Sequence, residues 1–324
     1  MKNFKKIIAV CPGNTVTGGP EAIHHLVHML RNMGLDAEIC YFPADKTFEI
    51  PQAYRAFDVK VARYEDVAGN LIIFPETFPM DALQVKYGQA AIWWLSVDHF
   101  TGYRNESKAR DRFNYVKLIA KGLRPFRGAR SLGRILHFSQ SHYSSLWLAA
   151  AGLSSYEMYE PINQVYLQQA AGISCENRGN QILYNPRKGK KIVDALIGRY
   201  PEFKFIALQK MSRDELIALY RSSKVYIDFG HHPGRDRIPR EAAVLGCCLI
   251  TGRKGSAANT VDVPIDDGYK MDTESAGFVD AFGALVQSVF LDFPRHFAAQ
   301  QQYRQRIVGE PGFFEANLRK IFLE

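Results

Sequence analysis

Short apolar runs alternate with stretches of helical periodicity in two successive series, and that alternation leaves little choice of fold class. In the first series, residues 7–10 (Ile-Ile-Ala-Val) read as a strand and residues 11–20 as a loop of Gly and small polar residues. Ile23, Leu26, Val27 and Leu30 then recur at helical spacing until Gly34, and a second strand follows at 37–42. Strand, loop, helix, strand is the βαβ unit of a parallel sheet. Further strands are expected at 71–75, 90–97 and 135–139, with helical patterns between them. The pattern breaks at Tyr159-Glu160-Pro161-Ile162-Asn163. A second series then places strands at 181–184, 203–208, 225–229 and 247–251, with helices at 190–199, 212–222 and 239–245. Helical stretches at 276–289 and 294–307 follow. The expected architecture is α/β: two doubly wound domains facing each other across a cleft, 1–160 and 161–308, with a C-terminal helix at 309–324 returning to the first. A chain of 324 residues, 47% apolar, is long enough to build two cores.

The formal charge of +8 biases the surface towards anionic partners without choosing among nucleotides, nucleic acid and acidic lipid. No RNP, KH or zinc-finger pattern accompanies it, which argues against nucleic acid. The five cysteines, an odd number with no CxxC spacing, read as reduced thiols. The apolar run after the basic start is too short for a signal peptide, and no stretch approaches the roughly 20 apolar residues of a membrane span. A cytoplasmic protein is expected, with contact at the inner face of a membrane left open.

The most informative segment runs from Asp228 to Ser256. A strand ends at Asp228-Phe229-Gly230, a loop with Gly and Pro pivots follows, and Pro239 opens a helix at a position where its missing N–H costs nothing. Loop amides and a helix N-terminus at the carboxyl edge of a sheet suit an anionic ligand. Arg235, Arg237 and Arg240 add positive charge there, and Glu241 lies in the first turn. Taken singly, these residues read first as a solvated basic face with a carboxylate on the helix dipole; the flanking strand and the second glycine-rich turn, Gly252 to Ser256, turn the reading towards a ligand site. Tyr184-Asn185-Pro186-Arg187-Lys188-Gly189 occupies the equivalent strand-to-helix transition at the end of the first strand of the second domain. In the first domain, Thr17-Gly18-Gly19-Pro20-Glu21 lies in the first βα loop, although Gly13, Gly18 and Gly19 lack the dinucleotide spacing.

Glu241-Ala242-Ala243, Gly246, Leu249-Ile250-Thr251 and Gly255-Ser256 resemble the donor site of GT-B glycosyltransferases. The likeness is to the retaining group related to sucrose and glycogen synthases and bacterial polysaccharide mannosyltransferases. It implies two Rossmann-like domains, an acceptor side in the first and a nucleotide-sugar site in the second. It further implies that Glu241 binds the donor ribose, since a carboxylate accepts two hydrogen bonds from a vicinal diol. Arg187 and Lys188, with Arg237, would neutralise the donor diphosphate, and Gly18 and Gly19 would let backbone amides approach the donor. The group carries a second acid eight positions before Glu241. That position is Pro233 here, which leaves the retaining or inverting outcome open.

Asp98 and His99 follow the apolar run 90–97 at an expected strand end. The resemblance makes His99 a contact to the donor sugar and Asp98 a candidate base; capping of the next helix is the structural alternative. Glu76, after 72–75, has the same placement. His24, His25 and His28 lie within one helical turn or so without a carboxylate or cysteine at ligand spacing, and read as helix surface and core, not metal ligands. Trp93 and Trp94 read as core. No Asp-x-Asp occurs, so no metal and no cofactor are expected beyond the nucleoside-diphosphate sugar itself. The partners implied are that donor and a saccharide or lipid-linked acceptor, as in bacterial-type surface polysaccharide or glycoconjugate synthesis. The rival functions are a nucleotide-sugar epimerase of the same fold and a nonenzymatic nucleotide- or nucleic-acid-binding protein.

Overall fold

The computed structural model describes residues 4–100 and 132–324. The chain divides into two compact units, one comprising residues 1–160 with 313–324 and the other residues 161–312. The helical pattern expected between the strands near 90 and 135 lies largely outside the described residues.

In the first unit six parallel strands form one sheet. They are β1 (Lys6–Pro12), β2 (Ala37–Phe42), β3 (Asn70–Pro75), β4 (Gln89–Trp94), β5 (Leu136–Ser139) and the short β6 (Tyr156–Glu157), in the order β2-β1-β3-β4-β5-β6. Both faces of the sheet are covered, which explains why its strands read as unbroken apolar runs. Leu71, Ile73, Ala91 and Trp93 join one core cluster, whereas Ile72, Phe74, Ala90, Ile92 and Trp94 join the other, as period-2 alternation requires. Helix α1 (Gly18–Asn32) packs Ile23, Leu26, Val27 and Leu30 on the first face. It stops at Gly34, whose φ of +80° allows Gly34 N–H and Leu35 N–H to bond back to Arg31 O and Leu30 O. The other face receives Ala82 of α2 (Pro79–Gln84), Val97 of α3 (Val97–Phe100) and Leu148 of α4 (His142–Ala150).

The run 90–97 is not one strand. Pairing ends at Trp94, and Val97 opens α3, so Asp98 and His99 sit in a single helical turn beyond the strand end. Trp93 and Trp94 are fully buried, as their core reading requires.

The second unit begins with helix α5 (Gln164–Gln168) and holds a parallel sheet in the order β11-β10-β9-β7-β8. Its strands are β7 (Gly179–Tyr184), β8 (Lys204–Ala207), β9 (Ser223–Asp228), β10 (Cys248–Gly252) and β11 (Lys270–Met271). Between them run α6 (Lys190–Arg199), α7 (Arg213–Ser222) and α8 (Arg237–Val244). A reciprocal capping box starts α7, with Ser212 Oγ accepting from Glu215 N–H and the Glu215 carboxylate accepting from Ser212 N–H. Helices α9 (Phe278–Leu291), α10 (Phe293–Ala299) and α11 (Gln301–Phe322) complete the chain. The expected break near residue 308 is absent, because α11 runs on through Pro311. It thereby carries residues of both units.

Each sheet has one point at which the chain reverses its direction of winding. It falls between β1 and β3 in the first unit and between β7 and β9 in the second. The carboxyl ends of such strand pairs are where ligands of open α/β sheets bind.

Candidate donor site

In the second unit two loops flank that reversal point, 185–189 after β7 and 229–236 after β9. The first is shaped by Asn185, whose Oδ1 accepts from Arg187 N–H at 3.0 Å, and by Gly189, which caps α6 with φ +59°. A Cβ at Gly189 would come within 2.9 Å of the Phe229 carbonyl carbon, and one at Gly230 within 2.7 Å of Lys188 Cβ. Two glycines thus let the loops touch. Lys188 Nζ crosses the seam and donates to His231 O at 3.3 Å and to the Asp236 carboxylate. Arg187 is exposed, with its guanidinium unbonded among the described residues.

Beneath Lys188 lies a buried chain of side chains. His232 is 1% exposed; its Nε2 stands 3.3 Å from Asp228 Oδ1 and its Nδ1 3.5 Å from Asp236 Oδ2. Burial alone would raise the Asp228 carboxyl, but His232, Lys188 and the Gly230 amide outweigh it and hold the group below its ordinary value. The donor atoms of Asp228, His232 and Asp236 all lie within 4.8 Å of one another, a spacing that also suits a metal ion. The ring faces a different carboxylate with each nitrogen, however, and Asp236 already carries the Lys188 ammonium. The imidazole thus lies between the two acids, with one ring nitrogen towards each.

A third loop, 252–256 after β10, buttresses the second. Ser256 N–H donates to His232 O at 2.9 Å and Ser256 Oγ donates to Gly234 O. Gly255, with φ +65°, leaves no room for a side chain, since a Cβ there would lie 2.0 Å from His232 O.

Helix α8 opens two residues before Pro239, so Arg237 is its first residue and Glu241 falls in the second turn. Of the three arginines expected to present charge to a ligand, two are withdrawn. Arg235 and Arg240 are 5% and 1% exposed and both donate to the carboxylate of Glu310 on α11, Arg240 Nη1 at 2.7 Å. A buried guanidinium requires a counter-ion and hydrogen bonds, and Glu310 supplies both. Arg237 remains half-buried at the helix start. Glu241 is 8% exposed, and its charge contributes, after burial, to the raised pKa of the Tyr220 phenol. The side chain is therefore largely enclosed within the second unit.

In the first unit, Gly18 opens α1, and a Cβ at Gly19 would meet only Leu95 Cδ1 at an ordinary 3.6 Å. The glycine this loop needs is Gly13, where a Cβ would collide with the Phe48 ring at 2.4 Å. Glu76, 3% exposed at the end of β3, accepts from Leu95 N–H at 3.1 Å and lies 3.3 Å from His99 Nδ1. Tyr143 Oη donates to Asp98 Oδ1 at 3.5 Å. Gly19, Leu95, Glu76 and His99 are thus gathered at the carboxyl edge of this sheet. Sequence reasoning missed Asp236, His232 and Glu310; the Asp228, His232, Asp236 spacing of four was the visible signal for the first two.

No protein-family model matches the sequence and no curated protein matches it by sequence. Solved structures do match the fold. A sucrose-phosphate synthase from Thermosynechococcus elongatus superposes with a TM-score of 0.67 at 12% identity, covering 98% of both chains. A glycosyltransferase from Rickettsia africae gives 0.64 at 15% identity over 98% of this chain and 97% of that one. Anabaena HepE, solved with UDP and glucose, gives 0.62 at 13% identity over 98% and 99%. The chain has the GT-B fold, with two Rossmann-like α/β domains.

Proposed function

We propose that the protein is a glycosyltransferase that moves a sugar from a nucleoside-diphosphate sugar to an acceptor. The observation that carries this reading is the convergence of the Arg187–Lys188 loop and the loop leading into α8 at the reversal point of the second sheet. Arg187, Lys188 and Arg237 hold the donor diphosphate and stabilise the charge that develops on it as the glycosidic bond breaks. Glu241 holds the ribose. Gly18 and Gly19 open the first turn of α1 to the donor, His99 contacts the sugar and Asp98 serves the acceptor. Catalysis needs no divalent ion, since the charge on the leaving group is met by cationic side chains. The acceptor is a saccharide or lipid-linked saccharide of a surface polysaccharide or glycoconjugate, reached from the cytoplasmic side of a membrane. The GT-B fold of the enzymes it superposes on, HepE with UDP and glucose among them, supports the reading.

Calorimetric titration with nucleoside diphosphates tests the site. Lys188→Ala should weaken diphosphate binding about tenfold or more and leave the bare nucleoside unaffected. Glu241→Gln should weaken both about tenfold, the worth of a lost charge-assisted hydrogen bond. Unchanged affinity in a folded Glu241→Gln protein means the ribose site lies elsewhere. Transfer activity should survive EDTA; its loss, with recovery on adding manganese, removes the metal-free mechanism.

A further inference from the structure

Asp236 is the N-cap residue of α8, yet its side chain makes no capping hydrogen bond. An N-cap carboxylate accepts from the N–H of the second or third helical residue, and the third residue here is Pro239, which has no N–H, so one of the two capping donors is missing. The carboxylate turns instead to the neighbouring loop and lies against Nζ of Lys188, whose side chain is 26% exposed. A carboxylate therefore lies against the ammonium that the proposed function assigns to the donor diphosphate.

We infer that Asp236 is an internal stand-in for the diphosphate: it neutralises Lys188 until the ligand arrives, and the ligand displaces it. This rests on the donor-site reading above. Three features make the exchange feasible. The lysine keeps its anchor on His231 O at 3.3 Å when the carboxylate leaves, so it does not lose its place. Asp236 keeps a partner too, because His232 Nδ1 stands 3.5 Å from the same carboxylate oxygen. A diphosphate brings more charge than one carboxylate and reaches Arg187 as well, so it outcompetes Asp236 where a weaker anion does not. Asp236 thus sets the charge threshold of the site, a specificity-determining role.

The test is a double-mutant cycle on Asp236 and Lys188 with inorganic pyrophosphate as probe, read by calorimetry, with thermal melts to confirm folding. Asparagine is isosteric and a good N-cap, so Asp236→Asn should fold. Freed of its counter-ion, this variant should bind pyrophosphate roughly five- to tenfold tighter, and monovalent anions such as acetate should become measurable competitors. Lys188→Ala should weaken binding. In the Lys188→Ala background, Asp236→Asn should change affinity by less than about twofold, because its effect passes through the lysine. Weaker or unchanged binding by Asp236→Asn overturns the stand-in, as does an equal gain without Lys188, which would make Asp236 a merely general negative charge. Lys188→Ala binding as well as wild type would instead sink the donor-site reading itself.

Discussion

His137 lies on β5, 3% exposed, and its Nδ1 accepts a hydrogen bond from the Trp94 indole N–H at 3.1 Å. That bond requires Nδ1 to be unprotonated, and burial, opposed by the Leu132 backbone, lowers the imidazole pKa to about 4. A histidine with a depressed folded-state pKa favours folding in its neutral form. Its contribution is intact above the unfolded value near 6.5 and is lost as pH falls from there towards 4. Wild type should therefore lose about 2–3 kcal/mol more stability between pH 7 and 4.5 than His137→Asn, whose amide oxygen can still accept from Trp94. Urea unfolding at the two pH values measures this; parallel losses would mean the imidazole titrates normally in the fold. Nothing in the sequence around His137 signals this role. Trp94 and His137 are 43 residues apart, and their meeting depends on strand order, which local periodicity does not carry.

Elements were more legible than residues, because a parallel sheet covered on both faces writes itself as repeated apolar runs. The helix at 190–199 and the strand at 37–42 lie where the pattern puts them. The misreadings occur where short-range chemistry overrides the pattern. The apolar run through Val97 bends into a helical turn after Trp94, and α8 starts on Arg237, two residues before Pro239, because the helical backbone begins directly after the N-cap Asp236. The largest misreading concerns the arginines of the 229–240 segment. A basic loop looks like a ligand site, yet Arg235 and Arg240 find their partner 75 and 70 residues away, on α11. Glu310→Ala should take from two buried guanidinium groups the carboxylate that both donate to and destabilise the second unit by about 3–5 kcal/mol. Denaturant titration checks the value. Replacing all three by apolar residues of similar volume should cost far less, since the penalty comes from the orphaned charge and not from losing the ion pairs. If the single and triple variants are equally destabilised, the carboxylate is not the group that holds these arginines in place.

At the scale of the whole molecule, α11 is the element that a linear reading describes least well. It is one helix of 22 residues interrupted in sequence by Pro311 and Gly312, and its last part belongs to the compact unit at the opposite end of the chain. Phe314, Leu318, Ile321 and Phe322 are each 5% exposed or less and join the core cluster of α1 and the first sheet. Phe314 stacks on Trp93 with ring centroids 6.5 Å apart, and Phe322 meets Phe138 at 5.9 Å. Four side chains of this kind contribute about 1.5–3 kcal/mol apiece on burial. Their sum is comparable to the roughly 5–15 kcal/mol that keeps a domain folded. A chain ending at Gly312 should therefore lose the first unit's cooperative unfolding transition while the second unit, whose core cluster contains none of the four, keeps its own. Limited proteolysis should degrade residues 1–160 and spare a fragment starting near Pro161. A milder probe is Leu318→Ala in the full chain, expected to lower the stability of the first unit by about 2–5 kcal/mol through the cavity it leaves. Two unfolding transitions, with only one displaced by Leu318→Ala, are the expected result. A truncated protein in which both transitions persist unchanged would show that the first unit does not depend on the end of α11.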